Sequence, residues 1–180
     1  MQAVYNDREL AFRLVWDDPT NSKPDVKSGT FEDAVAIEFP VRIPTGATRP
    51  FFLMGDAELS VQLLRWGSAS GITELNGNGL DKLQPQPESG QEATAEAEFK
   101  DGQYRVVIKR PLKTVNSAQD IQFEPGRFIP IALFVWDGSN GETGSKMALT
   151  SWYYFFVEPV LPAITYLYPA VAVVFVGGLQ

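Results

Sequence analysis

Apolar and polar residues alternate along much of this chain, and the period is two. Leu10, Phe12 and Leu14 interleave with Ala11 and Arg13 in "LAFRL", the pattern of a strand with one buried face. The opening "AVYNDRELAFRLVWDD" therefore predicts two strands around a polar turn at Asn6–Glu9. "DDPTNSKPDVKSGT" predicts a loop. Further short strands are predicted for Asp33–Pro40 ("DAVAIEFP"), Pro50–Gly55 ("PFFLMG") and Ser60–Trp66 ("SVQLLRW"). Residues 67–92 hold five glycines and two prolines among polar residues, which predicts one long surface loop. Gln103–Leu112 and Arg127–Gly138 are rich in β-branched and aromatic residues and predict strong strands. No stretch of the first 158 residues carries a convincing amphipathic helical period, and no segment repeats. Many short strands joined by Gly, Pro, Asn and Asp turns predict an all-β fold, an antiparallel β-sandwich over residues 1–158.

The last stretch differs in kind. "PVLPAITYLYPAVAVVFVGGLQ", residues 159–180, has no charge, whereas all 37 charged residues lie before it. About 20 uncharged, mostly apolar residues suffice to span a bilayer core. Tyr166 and Tyr168 suit an interfacial belt, and the prolines suit a helix entry. The expectation is a C-terminal transmembrane helix acting as a membrane anchor, with a buried terminal strand or hairpin as the alternative. No basic and apolar leader stands at Met1–Gln2, and the expectation is either a protein made without one or a processed or truncated form.

Composition narrows the chemistry more than it narrows the fold. A formal charge of −7 argues against nucleic acid and anionic lipid surfaces, which need a basic face. The chain has no cysteine, so disulfides, iron–sulfur clusters, zinc thiolates and thioether-attached haem are excluded. It has no histidine either, which removes the commonest general base and the commonest metal ligand. Any enzyme must run on carboxylates. Any metal must be held by carboxylate, Met, Lys or Tyr.

Four segments, taken in order, resemble the haem-b-binding gamma subunits of ethylbenzene dehydrogenase and its relatives. Those relatives are the corresponding subunits of dimethylsulfide dehydrogenase, chlorate and selenate reductases, and nitrite oxidoreductase. The segments are "LAFRLVWDDPT" (10–20), "FEDAVAIEFP" with "RPFFLMGD" (31–56), "VVIKRPL" (106–112) and "IPIALFVWDGSNGETGSKMALTSWYYF" (129–155). The resemblance implies a β-sandwich holding one non-covalent haem b whose iron is ligated by a methionine and a lysine. By position in the motifs these are Met54 in "FLMGD" and Lys146 in "GSKMALTSWYY". It further implies an electron-transfer subunit rather than an enzyme, beside an iron–sulfur subunit and a molybdenum-containing catalytic subunit. A membrane subunit or a c-type cytochrome is a further expected partner, on the extracytoplasmic (periplasmic) face. The family's subunits normally carry more sequence ahead of the part matching residues 3–20, and the charge-free tail is a departure from its soluble members.

Met/Lys ligation is chemically coherent. A lysine ligates only as the neutral amine, so its pKa must fall well below the reference of about 10.4. A soft thioether favours ferrous iron and raises the potential. Gly55 removes a side chain where a macrocycle approaches. Arg65, Lys109, Arg110 and Arg127 are candidate partners for haem propionates. Met147 is a rival thioether that strand alternation sets on the face opposite Lys146. The competing function is a carbohydrate-binding sandwich without haem, using Trp136-Asp137 and Trp16-Asp17-Asp18 as stacking and hydrogen-bonding groups. A glycosidase is weaker, because no carboxylate spacing among the 22 acids singles out a catalytic pair.

Overall fold

The alternation in "ELAFRLVWD" becomes a strand whose apolar members face a second sheet, and the same logic builds most of the molecule. The computed structural model describes residues 1–80 and 82–159. One sheet holds β1 (Gln2–Tyr5), β2 (Glu9–Asp17), β7 (Thr94–Lys100) and β8 (Gln103–Pro111), in the order β1-β2-β8-β7. The larger sheet holds β3 (Ala34–Pro40), β4 (Val61–Gly67), β5 (Gly71–Gly77), β6 (Leu83–Pro85), β9 (Phe128–Trp136), β10 (Ala148–Leu149) and β11 (Tyr153–Phe156). Its order is β10-β9-β3-β4-β5-β6, with β11 pairing β9 beside β10. Every pairing is antiparallel.

The two sheets face each other across Leu10, Phe12 and Leu14 on one side and Val35, Ile37 and Phe39 on the other. Phe12, Phe39, Phe123 and Phe155 form the aromatic centre, with Phe39 5.2 Å from Phe123 and Phe12 5.5 Å from Phe155. Fully burying each such ring contributes about 1.5–3 kcal/mol. This is the sandwich that the alternation predicts.

β3 is buried over its whole length because its other face is covered as well. There Ala34 and Ala36 join Met54, Leu63, Leu75, Ala132, Phe134 and Trp136 in a second cluster, with Met147 and Trp152 packed against it. A strand covered on both sides cannot show simple alternation, and "AVAIEFP" reads as a nearly continuous apolar run.

Two predicted elements differ. Pro50–Gly55 is a turn, not a strand: the Gly55 N–H donates to Phe51 O at 2.9 Å, and Asp56 accepts from the Phe51 N–H at 3.0 Å. Residues 67–92 are not one loop, since β5 and β6 extend the larger sheet within them. β5 pairs with β4 in full register from Gly67↔Gly71 to Val61↔Gly77. Among the described residues no helix is long and apolar enough to cross a membrane. The expected membrane anchor, residues 159–180, lies outside the described residues from position 160 onward.

Candidate functional site

Met54 does not sit in a strand. It closes the Phe51–Met54 turn with a left-handed backbone, φ +64°, which is rare for a residue with a Cβ. Three bonds hold it there. Its N–H donates to Glu38 Oε2 (3.1 Å), its carbonyl accepts the Gly79 N–H (2.8 Å), and the following Gly55 N–H closes the turn on Phe51. Gly55 is required on two grounds. Its φ is +77°, and a Cβ there would stand 3.0 Å from the carbonyl oxygens of Gly77 and Leu59. Asp56 steadies the segment by accepting the Leu59, Phe51 and Glu58 N–H groups, which hold its carboxyl below the usual range.

Met54 thus enters the wall of a cavity of about 590 Å³ on the outer face of the larger sheet. Leu63, Leu83 and Trp136 are its apolar walls, and Arg65 and Gly144 lie at its polar side. The size and lining are those of a small-molecule or cofactor site. Arg65 pairs with Glu32 at 2.8 Å and lies over the Trp136 ring at 5.6 Å. Burial pushes the Glu32 carboxyl up, but the Arg65 guanidinium and the Ser70 N–H outweigh it and hold it below the usual range. Of the four cations considered for propionates, Arg65 alone lines this cavity. Lys109 faces Glu9 on the smaller sheet and Arg127 faces Glu124. Arg110 is buried and donates to Gln62 Oε1 (2.7 Å) and Ile121 O (3.0 Å).

The cavity's third side is the segment between β9 and β10, which carries Lys146. Asp137 caps a 3-10 turn at Gly138–Asn140 by accepting the Ser139 and Asn140 N–H groups at 2.9 and 3.1 Å. The Trp136 indole N–H donates to Gly144 O (3.0 Å), tying the segment over the cavity. Glu142, Thr143 and Gly144 belong to the lining. Lys146 is two residues farther on, is exposed, and donates from Nζ to Asn140 O. Met54 and the Lys146 segment therefore border one cavity, while the amine itself lies outside its lining. Met147, half-buried, is the one that packs against the Met54 cluster. β10 begins only at Ala148, so strand alternation does not govern this pair.

Whether a large apolar cofactor fits is decided by three features of the cavity. It is roomy, its walls are mostly hydrocarbon and indole, and its one soft donor is held from the backbone rather than left to rotate with a flexible turn. Those features suit a haem-sized group with a thioether ligand, whereas the Lys146 amine, bonded to Asn140 O, stands outside the lining.

Glu38 is the group that the sequence reading missed. Its side chain is completely buried, and burial pushes its carboxyl well above the usual range, opposed in part by the Met54 N–H. Oε1 has no hydrogen-bond partner among the described residues. A second buried polar group joins Gln62 of β4, Glu74 of β5, Arg110 of β8 and Asp120, and Glu74 accepts from Gln62 at 2.8 Å. A third brings carboxylate oxygens of Asp18, Asp33 and Asp137 within 4.8 Å of one another. Asp33 there accepts the Ser22 N–H (2.6 Å), the Gly138 N–H (2.8 Å) and the Tyr104 O–H (2.9 Å), anchoring the base of the Lys146 segment. Of the tryptophans named for the sugar-binding alternative, Trp136 is largely buried in the cavity wall and Trp16 is half-buried. Trp136 is 5 % exposed, and Trp16 stacks on Tyr104 at 4.8 Å.

Comparison with known proteins agrees with the resemblance read from the sequence. Residues 73–148, a span that includes Lys146 but not Met54, match the family model described as ethylbenzene dehydrogenase. The chlorate reductase subunit gamma of Ideonella dechloratans is 32% identical over 149 residues, 83% of this chain and 60% of that protein. A putative respiratory nitrate reductase heme subunit of Haloferax mediterranei is 25% identical over 159 residues, 88% of this chain and 55% of that protein. The chain thus spans 55–60% of the length of these two relatives.

Proposed function

We propose that this chain, which belongs to the ethylbenzene dehydrogenase family, is an electron-transfer subunit that holds one non-covalent haem b between Met54 and Lys146. The observation that carries this reading is Met54, its backbone held in the wall of a largely apolar cavity that the Lys146 segment borders. Haem, when bound, supplies a one-electron ferric/ferrous couple. The chain's own residues do the rest. Leu63, Leu83 and Trp136 would give the group apolar walls, and a thioether ligand would favour its ferrous state. Lys146, which donates to Asn140 O, would have to give up that bond and a proton for its amine to serve as the second ligand. Arg65 would be the cation available to a propionate, in competition with Glu32.

On this reading the chain carries out no substrate chemistry. Its partners are an iron–sulfur subunit and a molybdenum-containing catalytic subunit of one complex, on the extracytoplasmic side. Residues 159–180 fasten it to a membrane or to a membrane subunit. The names of the two relatives, a reductase gamma subunit and a heme subunit, support the coarse part of this assignment.

The test is expression of the full chain with haem available, followed by a pyridine haemochrome assay and reduced-minus-oxidised spectra of the parent, Met54→Ala, Lys146→Ala and Met147→Leu. The expected result is a b-type spectrum that is altered in the first two variants and unchanged in the third. A b-type spectrum indifferent to Lys146→Ala but changed by Met147→Leu would assign the second ligand to the neighbouring thioether. A well-folded chain without haem would refute the reading altogether.

A further inference from the structure

The Met54 N–H lies in a turn outside any strand, yet it is buried, and its acceptor comes from a strand 16 residues earlier. That acceptor is a carboxyl oxygen on β3, in a cluster otherwise made of Ala, Leu, Val, Phe and Trp side chains. A buried donor needs an acceptor, but it does not need an acid. Any backbone carbonyl would satisfy it without placing a second oxygen, Glu38 Oε1, where no partner among the described residues meets it. The geometry accounts for this choice. The left-handed turn at Met54 and Gly55 aims the Met54 N–H back at the sheet, where strand carbonyls lie in the ladder plane and are taken by β4 and β9. Only a side chain standing perpendicular to the sheet reaches that N–H. At position 38, whose side chain stands on the same face as Ala34 and Ala36, the reach matches a glutamate.

We infer that Glu38 is the positioning residue of the Met54 ligand: it anchors the left-handed Met54 backbone to β3 and so fixes where the thioether stands in the cavity. The inference rests on the proposed haem site and adds to it a residue outside the cavity lining. With N–H held by Glu38 and C=O held by Gly79, the Cα of Met54 is fixed from both sides, and only side-chain torsions remain. Because it needs only an oxygen acceptor of the right length, glutamine should serve and leucine should not.

The experiment compares the full parent chain with Glu38→Gln and Glu38→Leu in two readouts. The first is hydrogen exchange at the Met54 amide in haem-free protein. The second is the reduction potential and the thioether-to-iron charge-transfer band after haem loading. In Glu38→Leu the Met54 amide should exchange at least about tenfold faster relative to the β3 amides, haem affinity should drop about tenfold or more, and the thioether band should weaken or vanish. Glu38→Gln should restore all three toward the parent. A leucine variant with the parent's exchange rate, potential and band would overturn the inference while leaving the haem reading intact. A parent that takes up no haem would instead contradict the reading beneath it. Should Glu38→Leu fail to fold, the parent alone still decides. A Met54 amide that exchanges as fast as an unprotected loop amide overturns the inference, and one protected like a strand amide upholds it.

Discussion

Two apolar clusters share β3, one on each face, and they are built differently. Between the sheets, Phe12, Phe39, Phe123 and Phe155 interlock with Leu10, Ile37 and Ile108, all side chains without polar atoms, and every one of these residues except Phe155 is almost fully buried. On the outer face the same strand offers Ala34, Ala36 and Glu38. There the covering residue, Met54, takes a left-handed backbone, a carboxyl is buried with one oxygen unpartnered, and a cavity of about 590 Å³ is left open. The aromatic centre of the first face is what sandwich packing favours, and the polar group beside it, Arg110, Gln62 and Asp120, is joined by hydrogen bonds. The second departs from it three times within a few ångströms of one methionine. Departures that cluster around one side chain mark a place selected for what it holds rather than for stability.

Changing each face in turn should separate the two roles. The largest effect is expected from Phe39→Ala in the inter-sheet core, a loss of about 3–5 kcal/mol in urea unfolding, with haem uptake lost only to the extent that the fold is lost. Met54→Ala should be milder in haem-free protein, near the low end of the 2–5 kcal/mol range for such truncations because the side chain already borders open space. Yet its effect on haem binding should far exceed that of any core variant of equal stability. A finer contrast lies within position 54. Because its φ is +64°, Met54→Gly should be more stable than Met54→Ala by about 1 kcal/mol, the reverse of the order at an ordinary strand position. Equal stabilities would show that the turn relaxes and that the left-handed backbone is not enforced.

The smallest effect concerns pH, at the base of the Lys146 segment. Burial raises the Asp18 carboxyl pKa; the Thr20 N–H opposes this, and Asp33 and Asp137 push it further up. A carboxyl whose folded pKa lies above its unfolded value, about 3.9, leaves stability intact at low pH and reduces it as pH rises through the folded value. Asp18→Asn keeps the acceptor for Thr20 and should raise the unfolding midpoint at pH 7–8, with the gain disappearing as pH falls below about 4. A gain independent of pH would assign the effect to packing instead.

The sandwich was legible where one face alone is covered. β2 and β8 alternate plainly because their outer faces meet water, and β9 is marked by its β-branched and aromatic content. β7 carried two signals that pass unnoticed beside stronger runs. Ala95, Ala97 and Phe99 alternate with charged residues, and Asp101-Gly102, with φ of +53° and +70°, is a two-residue hairpin turn to β8. β5 was hidden by its glycines, which read as loop; its strand character comes from full-length pairing with β4, a long-range fact that no local window contains. "PFFLMG" misled in the other direction, since a short apolar run between Pro and Gly fits a strand as well as a covered turn.

For the site, sequence pointed to Met54 and Lys146 through motif resemblance, and the structure places both segments at one cavity. Glu38 was invisible. An acid in an apolar strand reads as the outward member of an alternating pair, and only the covering Met54 segment turns that outward face into an interior. Its burial is a property of the third layer, not of β3.

The central claim is that Met54 contributes its thioether to an iron-bearing cofactor in this cavity, and redox titration of the haem-loaded full chain against Met54→Ala tests it most directly. The account predicts a single one-electron transition in the parent, and a midpoint shifted to lower potential in the variant together with loss of the thioether band. A variant that binds haem with the parent's midpoint and spectrum would contradict it, and would move the site away from Met54.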